Sequence, residues 1–428
     1  MTDGLPRLLA IMGSGETSPT MIKTHRALLA RLGPPPVPAA LLDTPFGFQA
    51  NADDIAAKAV EYFDQSVGQE IAVATFRAAG GDTLEQERTL SRLRAARYVF
   101  AGPGSPSYAL RQWSGSAIPK ILLDKLQTGG CVTFASAAAL TLGTHTVPVY
   151  EIYKVGAEPS WLEGLNLIAE AGLEAVVIPH YDNAEGGHHD TRYCYLGEPR
   201  LRRLEAELPP ATFVLGVDEH TGLVLDLGAG TAEVVGRSTV TVRKDGRSSV
   251  LPAGTVVAIA ELPELARSGA GRSAAPAGVP NADGATAGAA AGDPALVATS
   301  PLLEAVARHE AAFDEAITNG DAEGAARAIL ELDDELVAWS RDTLQSDEAD
   351  RGRAALRSMI VRLGELAEVG ARDPAEMVGP FVQAILDART QARDDKRWAD
   401  ADVLRDRLVA LGVEVNDSPQ GTSWRLLS

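Results

Sequence analysis

CVTFASAAALTLG, residues Cys131 to Gly143, runs from a short apolar strand through a cluster of alanines around one serine and into a helix. A strand-to-helix corner of this kind is where a sharp turn exposes a nucleophile at the top of a sheet, and Ser136 occupies that position. The turn strains its central residue and tolerates only small neighbours. Ala135, Ala137 and Ala138 meet the size limit, although the usual pattern carries glycines. The same serine also reads as a helix N-cap, so residues outside the segment have to separate the two.

Working outward, RLLAIMGSGE, AALLDTP, EIAVATF, ARYVFAGPG and GCVTFAS are short apolar runs ending in small or turn-forming residues, with amphipathic stretches between them. Strand-helix alternation implies a parallel sheet covered on both faces. The expected fold is α/β, a flavodoxin-like parallel sheet with a nucleophile elbow, and ligands are expected beyond the carboxyl ends of its strands. GLVLDLGAGTAEVVGRSTVTVRKDG alternates and is rich in Val, Thr and Gly, which predicts antiparallel strands finishing the module.

Composition bounds the rest. The 428 residues are long for one domain, and 45% hydrophobic with 23% charged residues is ordinary for a globular chain. No apolar run approaches the roughly 20 residues of a membrane helix. The N-terminus carries Asp3 ahead of a short apolar stretch and does not read as a signal peptide. Two cysteines, Cys131 and Cys194, make no disulfide framework or metal spacing, so a reduced, cytoplasmic protein without metal or cofactor is expected. Ser268 to Ser300 is almost wholly Ala, Gly, Pro, Ser and Thr, too poor in large apolar residues to offset ordering entropy. The expected organisation is a domain over 1–262, a disordered linker over 263–299 and a mainly α-helical module over 300–428.

GCVTFASAAAL resembles the nucleophile segment of the dipeptidase E and cyanophycinase family of serine peptidases, which share the class I glutamine amidotransferase-like fold. VPVYEIY, with Glu151, and VVIPHYDNAEGGHH, with His180, follow in the family's order, and LGVDEHTG resembles its later acidic segment. The resemblance implies a triad of Ser136 as nucleophile, His180 as base and Glu151 as the carboxylate behind it. It also implies an oxyanion hole from the Ala137 amide and a glycine loop, FAGPGSPSYAL, with Gly102 and Gly104 in the glycine positions. Pro103 and Ala138 depart from the family pattern, and Pro103 has no N–H to donate. The implied substrate is a small peptide or amide, for instance an aspartyl dipeptide or an aminoacyl conjugate.

Other polar residues admit plainer readings. His188, His189 and Asp190 sit in a Gly-rich loop without a spaced partner and read as loop residues rather than metal ligands. Asp218 and Glu219 follow a strand, either near the site or in a solvated turn. Gly13 to Glu16 could cradle an anion at a helix N-terminus but lacks nucleotide-site spacing.

The C-terminal region has apolar residues at helical spacing, with Asn319-Gly320-Asp321 as a helix-to-helix turn. FVQAILDARTQARDDKRWADADVLRDRLVALGVEVNDSPQGTSWRLL, Phe381 to Leu427, is similar to the C-terminal segment of bacterial cysteinyl-tRNA synthetases, with Asp417, Pro419, Gly421, Thr422 and Trp424 on its tail motif. The preceding helices resemble that enzyme's anticodon-binding domain. Arg389, Arg393 and Arg397, four apart, would form one basic stripe with Lys396 beside it, and Trp424 could stack on a base. The resemblance implies tRNA as a partner. The plainer reading pairs the stripe with Asp394, Asp395 and Asp400 and puts the tryptophan in a local core, in keeping with a net charge of −19. Neither a His-x-Gly-His nor a Lys-Met-Ser-Lys-Ser motif is present, so the synthetase's own activation chemistry is excluded. Two functions of different class remain: a serine hydrolase carrying a tRNA-binding-like module, or a non-catalytic RNA- or protein-binding accessory factor built from both parts.

Overall fold

The computed structural model describes residues 4–184, 189–269, 300–340, 348–370, 374–418 and 421–427. Contacts partition the chain into two units, Met1–Glu304 with Asp334–Ala349 and Ala305–Asp333 with Asp350–Ser428. Most of the expected linker, residues 270–299, lies outside the described residues, as do His188 and Pro419.

In the first unit, strands β1 (Arg7–Met12), β2 (Ala39–Leu42), β3 (Ala72–Ala74), β4 (Tyr98–Ala101) and β5 (Gly130–Ala135) lie parallel in the order β3-β2-β4-β5-β1. The short strands β6 (His145–Thr146) and β7 (Leu162–Glu163) form a ribbon of their own. β8 (Ala175–Ile178) and β9 (Phe213–Val217) pair in parallel in a second, four-stranded sheet. β10 (Thr221–Asp226) and β11 (Thr231–Gly236) extend the main sheet antiparallel from β1. β12 (Thr239–Lys244) and β13 (Arg247–Pro252) complete the second sheet, and β14 (Val256–Ala258) closes the edge of the first.

The parallel strands read as continuous apolar runs because both faces are covered. In β1, Leu9 and Ile11 enter one buried cluster, while Leu8, Ala10 and Met12 enter the other. β5 divides the same way, with Val132 and Phe134 on one side and Cys131 and Ala135 on the other. Each fully buried Leu or Phe contributes about 1.5–3 kcal/mol by removing apolar surface from water, so these central strands form a stiff platform. The helix Leu262–Ser268 buries Leu262 and Ala266 in the first of those clusters. The domain therefore runs past the expected boundary at residue 262, because apolar residues at helical spacing continue up to the start of the Ala/Gly/Pro tract.

The C-terminal region is mainly helical, with helices Pro301–Thr318, Ala322–Trp339, Glu348–Gly370, Pro374–Asp394 and Trp398–Ala410. Gly320, at φ +67°, turns the chain between the first two, and the Asp321 carboxylate caps the next helix by accepting the Gly324 amide at 2.9 Å. The chain ends in a hairpin of β15 (Val413–Ser418) and β16 (Gly421–Leu426), which periodicity alone did not separate from the helices.

Candidate active site

Ser136 leaves β5 at φ +49°, a left-handed conformation that a non-glycine residue adopts only when its surroundings impose it. β5 delivers Ala135 in extended geometry, and the short helix Ser136–Leu140 starts at once, which bends the chain sharply at the serine. The helix fits against the sheet because its residues are small: Ala138 and Ala139 are fully buried. Ser136 does not act as an N-cap; its hydroxyl lies 2.9 Å from His180 Nε2.

His180 sits just past β8, itself at φ +47°. Its Nδ1 donates to Glu219 Oε1 at 2.7 Å, leaving Nε2 to accept from Ser136. Glu219 follows β9, the parallel neighbour of β8, so pairing of Ile178 with Gly216 brings the two exits side by side. Burial pushes the Glu219 carboxyl up, but the hydrogen bond from His180, the positive fields of His180 and His220, and Asn183 outweigh it, holding the group below its ordinary range. Glu219 is thus the carboxylate on the imidazole.

Glu151 is not. It lies on the helix Val149–Tyr153, where Oε1 accepts the Ser107 hydroxyl at 2.5 Å. The expectation followed a resemblance in linear order, whereas the parallel pairing of β8 and β9 fixes which acid reaches His180. Glu219 was visible in LGVDEHTG, but nothing in the sequence aligns the ends of two strands separated by a helix and a long loop.

The glycine loop after β4 stands beside Ser136. Gly102 O accepts the Ala138 amide at 3.2 Å, so Ala138 is absorbed into the turn. Gly104, at φ +135°, is required, since a Cβ there would lie 2.0 Å from Pro45 O. The Ser105 amide is committed to Pro45 O at 2.8 Å, and Pro103 has no N–H. These commitments leave the Ala137 and Gly104 amides as the oxyanion donors to test. The Gly13–Glu16 loop packs closely against the β9–β10 connection. A Cβ on Gly13 would meet Asp218 O at 2.0 Å, and one on Gly15 would meet His220 Nδ1 at 2.1 Å.

Around Ser136, His180 and Glu219 lie further titratable groups. Asp218 Oδ2 accepts from Ser238 Oγ, Thr239 N and Thr239 Oγ1 at 2.7, 3.0 and 2.6 Å, though burial raises its pKa. Burial lowers His220 to about 4. His189 is exposed, and Asp190 is taken up by Arg192 at 2.8 Å. Among the described residues no group of three or more His, Cys, Asp or Glu could hold a metal ion, and no helix is long and apolar enough to cross a membrane.

The expected basic stripe of the C-terminal region is largely spent inside its own fold. Arg389 is 4% exposed and grips Asp417 through Nη1–Oδ1 at 2.9 Å and Nη2–Oδ2 at 2.7 Å. Arg393 reaches the same carboxylate at 3.1 Å, and Thr422 Oγ1 donates to it at 2.8 Å. Arg397 pairs with Asp400 at 2.9 Å and Asp395 at 3.1 Å. Trp424 is half-buried against the cluster of Val382, Leu386 and Leu408. Spacing placed the arginines on one face but could not show that the returning hairpin would supply Asp417 to that face. Trp398 is 58% exposed beside Lys396 and Arg397, and Phe381 is 73% exposed.

The C-terminal segment has recognisable relatives. Residues 378–425 match the family described as cysteinyl-tRNA ligase anticodon binding domain. The cysteine–tRNA ligase of Arthrobacter sp. (strain FB24) is 36% identical over 106 residues, covering 23% of this chain and 22% of the ligase. That of Shewanella baltica (strain OS223) is 32% identical over 140 residues, 30% and 28% of the two chains. The chain thus spans about a quarter of the length of these relatives. A crystal structure of a peptidase from an acI-B1 Actinobacterium superposes with a TM-score of 0.48 at 20% identity, covering 60% of this chain and 98% of that one.

Proposed function

We propose that the first unit is a serine hydrolase acting on a small amide or peptide, and that the C-terminal segment binds tRNA. The observation that carries the first part is Ser136 in a left-handed turn, 2.9 Å from His180 Nε2, with Glu219 2.7 Å from Nδ1. Ser136 Oγ attacks the substrate carbonyl while His180 Nε2 takes its proton, and Glu219 stabilises the imidazolium that forms. The Ala137 and Gly104 amides meet the developing oxyanion. His180 returns the proton to the leaving amine, and a water then repeats the sequence to free the acid and restore the serine.

A fluorophosphonate probe tests this reading. Labelling of the full chain that is lost in Ser136→Ala supports it; folded protein that takes no label supports the non-catalytic reading instead. tRNA binding rests on the family match over residues 378–425. Its test is filter binding of total tRNA across a salt series, where phosphate contacts make affinity fall as salt rises. Since Arg389 is internally paired, Trp398 and Lys396 are the contacts we favour, and loss of binding in Trp398→Ala with retained helicity is the expected result.

A further inference from the structure

Asp182 lies two residues beyond His180, and its Oδ1 accepts the Glu219 backbone N–H at 2.8 Å. Besides the Tyr181 amide's bond to Val217 O at 3.1 Å and the Asn183 bond to the Glu219 carboxylate, two ties join the connections leaving β8 and β9. One is the side-chain bond between His180 Nδ1 and Glu219 Oε1, and the other is the Asp182 bond to the glutamate's own amide. The first alone fixes the end of a flexible side chain; the second fixes the backbone from which that side chain starts. A carboxylate held at both ends keeps its charge in place while the imidazole gains and loses a proton, which is the condition for preorganised stabilisation.

The charges around Asp182 bear on the same pair. Burial first, then the negative fields of Asp218 and Glu219, push its carboxyl up to about 7, with the Glu219 amide pulling the other way. Asp218 and Glu219 come from the β9–β10 connection, His180 from the same loop as Asp182, and His220 adds its field at Glu219. Asp218 is held separately by Ser238 and Thr239, so it does not duplicate the Asp182 tie.

We propose that Asp182 is a positioning residue for the Ser136–His180–Glu219 relay, holding the glutamate backbone in register with the histidine and adding negative charge that raises the basicity of His180. The proposal rests on the hydrolase reading of the same site. It adds to that reading a residue that touches neither substrate nor nucleophile.

The experiment compares the full-length wild type with Asp182→Asn and Asp182→Ala in two readouts. One is the fluorophosphonate labelling rate against pH. The other is the NMR titration of the histidine rings, with the His180 signal assigned by its loss in His180→Gln. Asparagine keeps an acceptor for the Glu219 amide and removes the charge. The labelling plateau should stay within about threefold of wild type, while the midpoint of labelling and of the His180 titration both fall by about one pH unit. The wild-type labelling curve should be broader than a single titration, because Asp182 loses its proton over the same range, and it should narrow in Asp182→Asn. Alanine removes the tie as well, so the plateau itself should drop about tenfold or more; if that variant does not fold, Asp182→Asn carries the test alone. A His180 midpoint unmoved in Asp182→Asn overturns the proposal. A wild type that takes no label, with the His180 midpoint still falling in Asp182→Asn, overturns the hydrolase reading and supports the coupling of Asp182 to His180.

Discussion

Replacing Glu219 by glutamine is the sharpest test of which acid serves His180. Glutamine keeps the length and an acceptor oxygen for the His180 Nδ1–H, so the substitution removes charge and little else. The carboxylate lies 2.7 Å from Nδ1, which puts the centres of the two charges about 4 Å apart when the imidazole is protonated. At an effective dielectric constant of about 20 that pair is worth about 4 kcal/mol. The Glu219 side chain is 29% exposed, so solvent screening reduces the figure to roughly 3 kcal/mol. Lost from the transition state, that energy slows the reaction by about a hundredfold or more. Glu151→Gln should cost less than about tenfold, because the amide oxygen still accepts the Ser107 hydroxyl and no imidazole depends on the charge. The assay is the second-order rate of fluorophosphonate labelling at pH 8, with circular dichroism confirming that each variant is folded. A Glu219→Gln protein that labels at the wild-type rate, beside a Glu151→Gln protein that does not label, would refute the assignment.

Gly104→Ala should destabilise the first unit by about 2–4 kcal/mol, because its Cβ would overlap the Pro45 carbonyl; thermal melting checks this. Arg389→Met should loosen the β15–β16 hairpin, since Asp417 loses its two-pronged partner; discounted for the exposure of Asp417, the cost is about 2 kcal/mol, read by hydrogen exchange of the hairpin amides. The same pair sets a pH limit. Arg389 first, then Thr422 and Arg393, hold the Asp417 carboxyl well below its ordinary range, so its stabilisation is complete above an unfolded value of about 3.9 and is lost only as pH falls through the much lower folded value. His25 gives the opposite kind of group a similar sign: burial lowers it to about 4, so the folded state stays neutral where the unfolded chain is already protonated. Stability from that difference is full above about pH 6.5 and declines by about 3 kcal/mol as pH falls to 4, a slope that His25→Gln should flatten in urea titrations.

Of the site, the sequence made Ser136 legible for a local reason, since only small residues flank it, which is what a strained strand-to-helix corner demands. His180 was legible only through the family resemblance of VVIPHYDNAEGGHH. Glu219 stood out in the sequence as one of two acids after a strand, yet its role depends on β8 and β9 pairing in parallel, a contact made across the helix Gly197–Glu207. The arginine stripe shows the same division. Spacing of four put Arg389 and Arg393 on one helical face, while the decision between solvent and partner belonged to Asp417, supplied by the hairpin.

Local chemistry along the chain thus settles the alternation of apolar strands and helices, the corner at Ser136 and the turn at Gly320. Packing in three dimensions settles which carboxylate meets His180, that Ala138 is accommodated by bonding to Gly102 O, and that the arginines of the tail hold a hairpin. The physical reason is that propensity and periodicity act over a few residues, whereas a hydrogen bond between side chains from separate strands exists only once strand register has brought their backbones together.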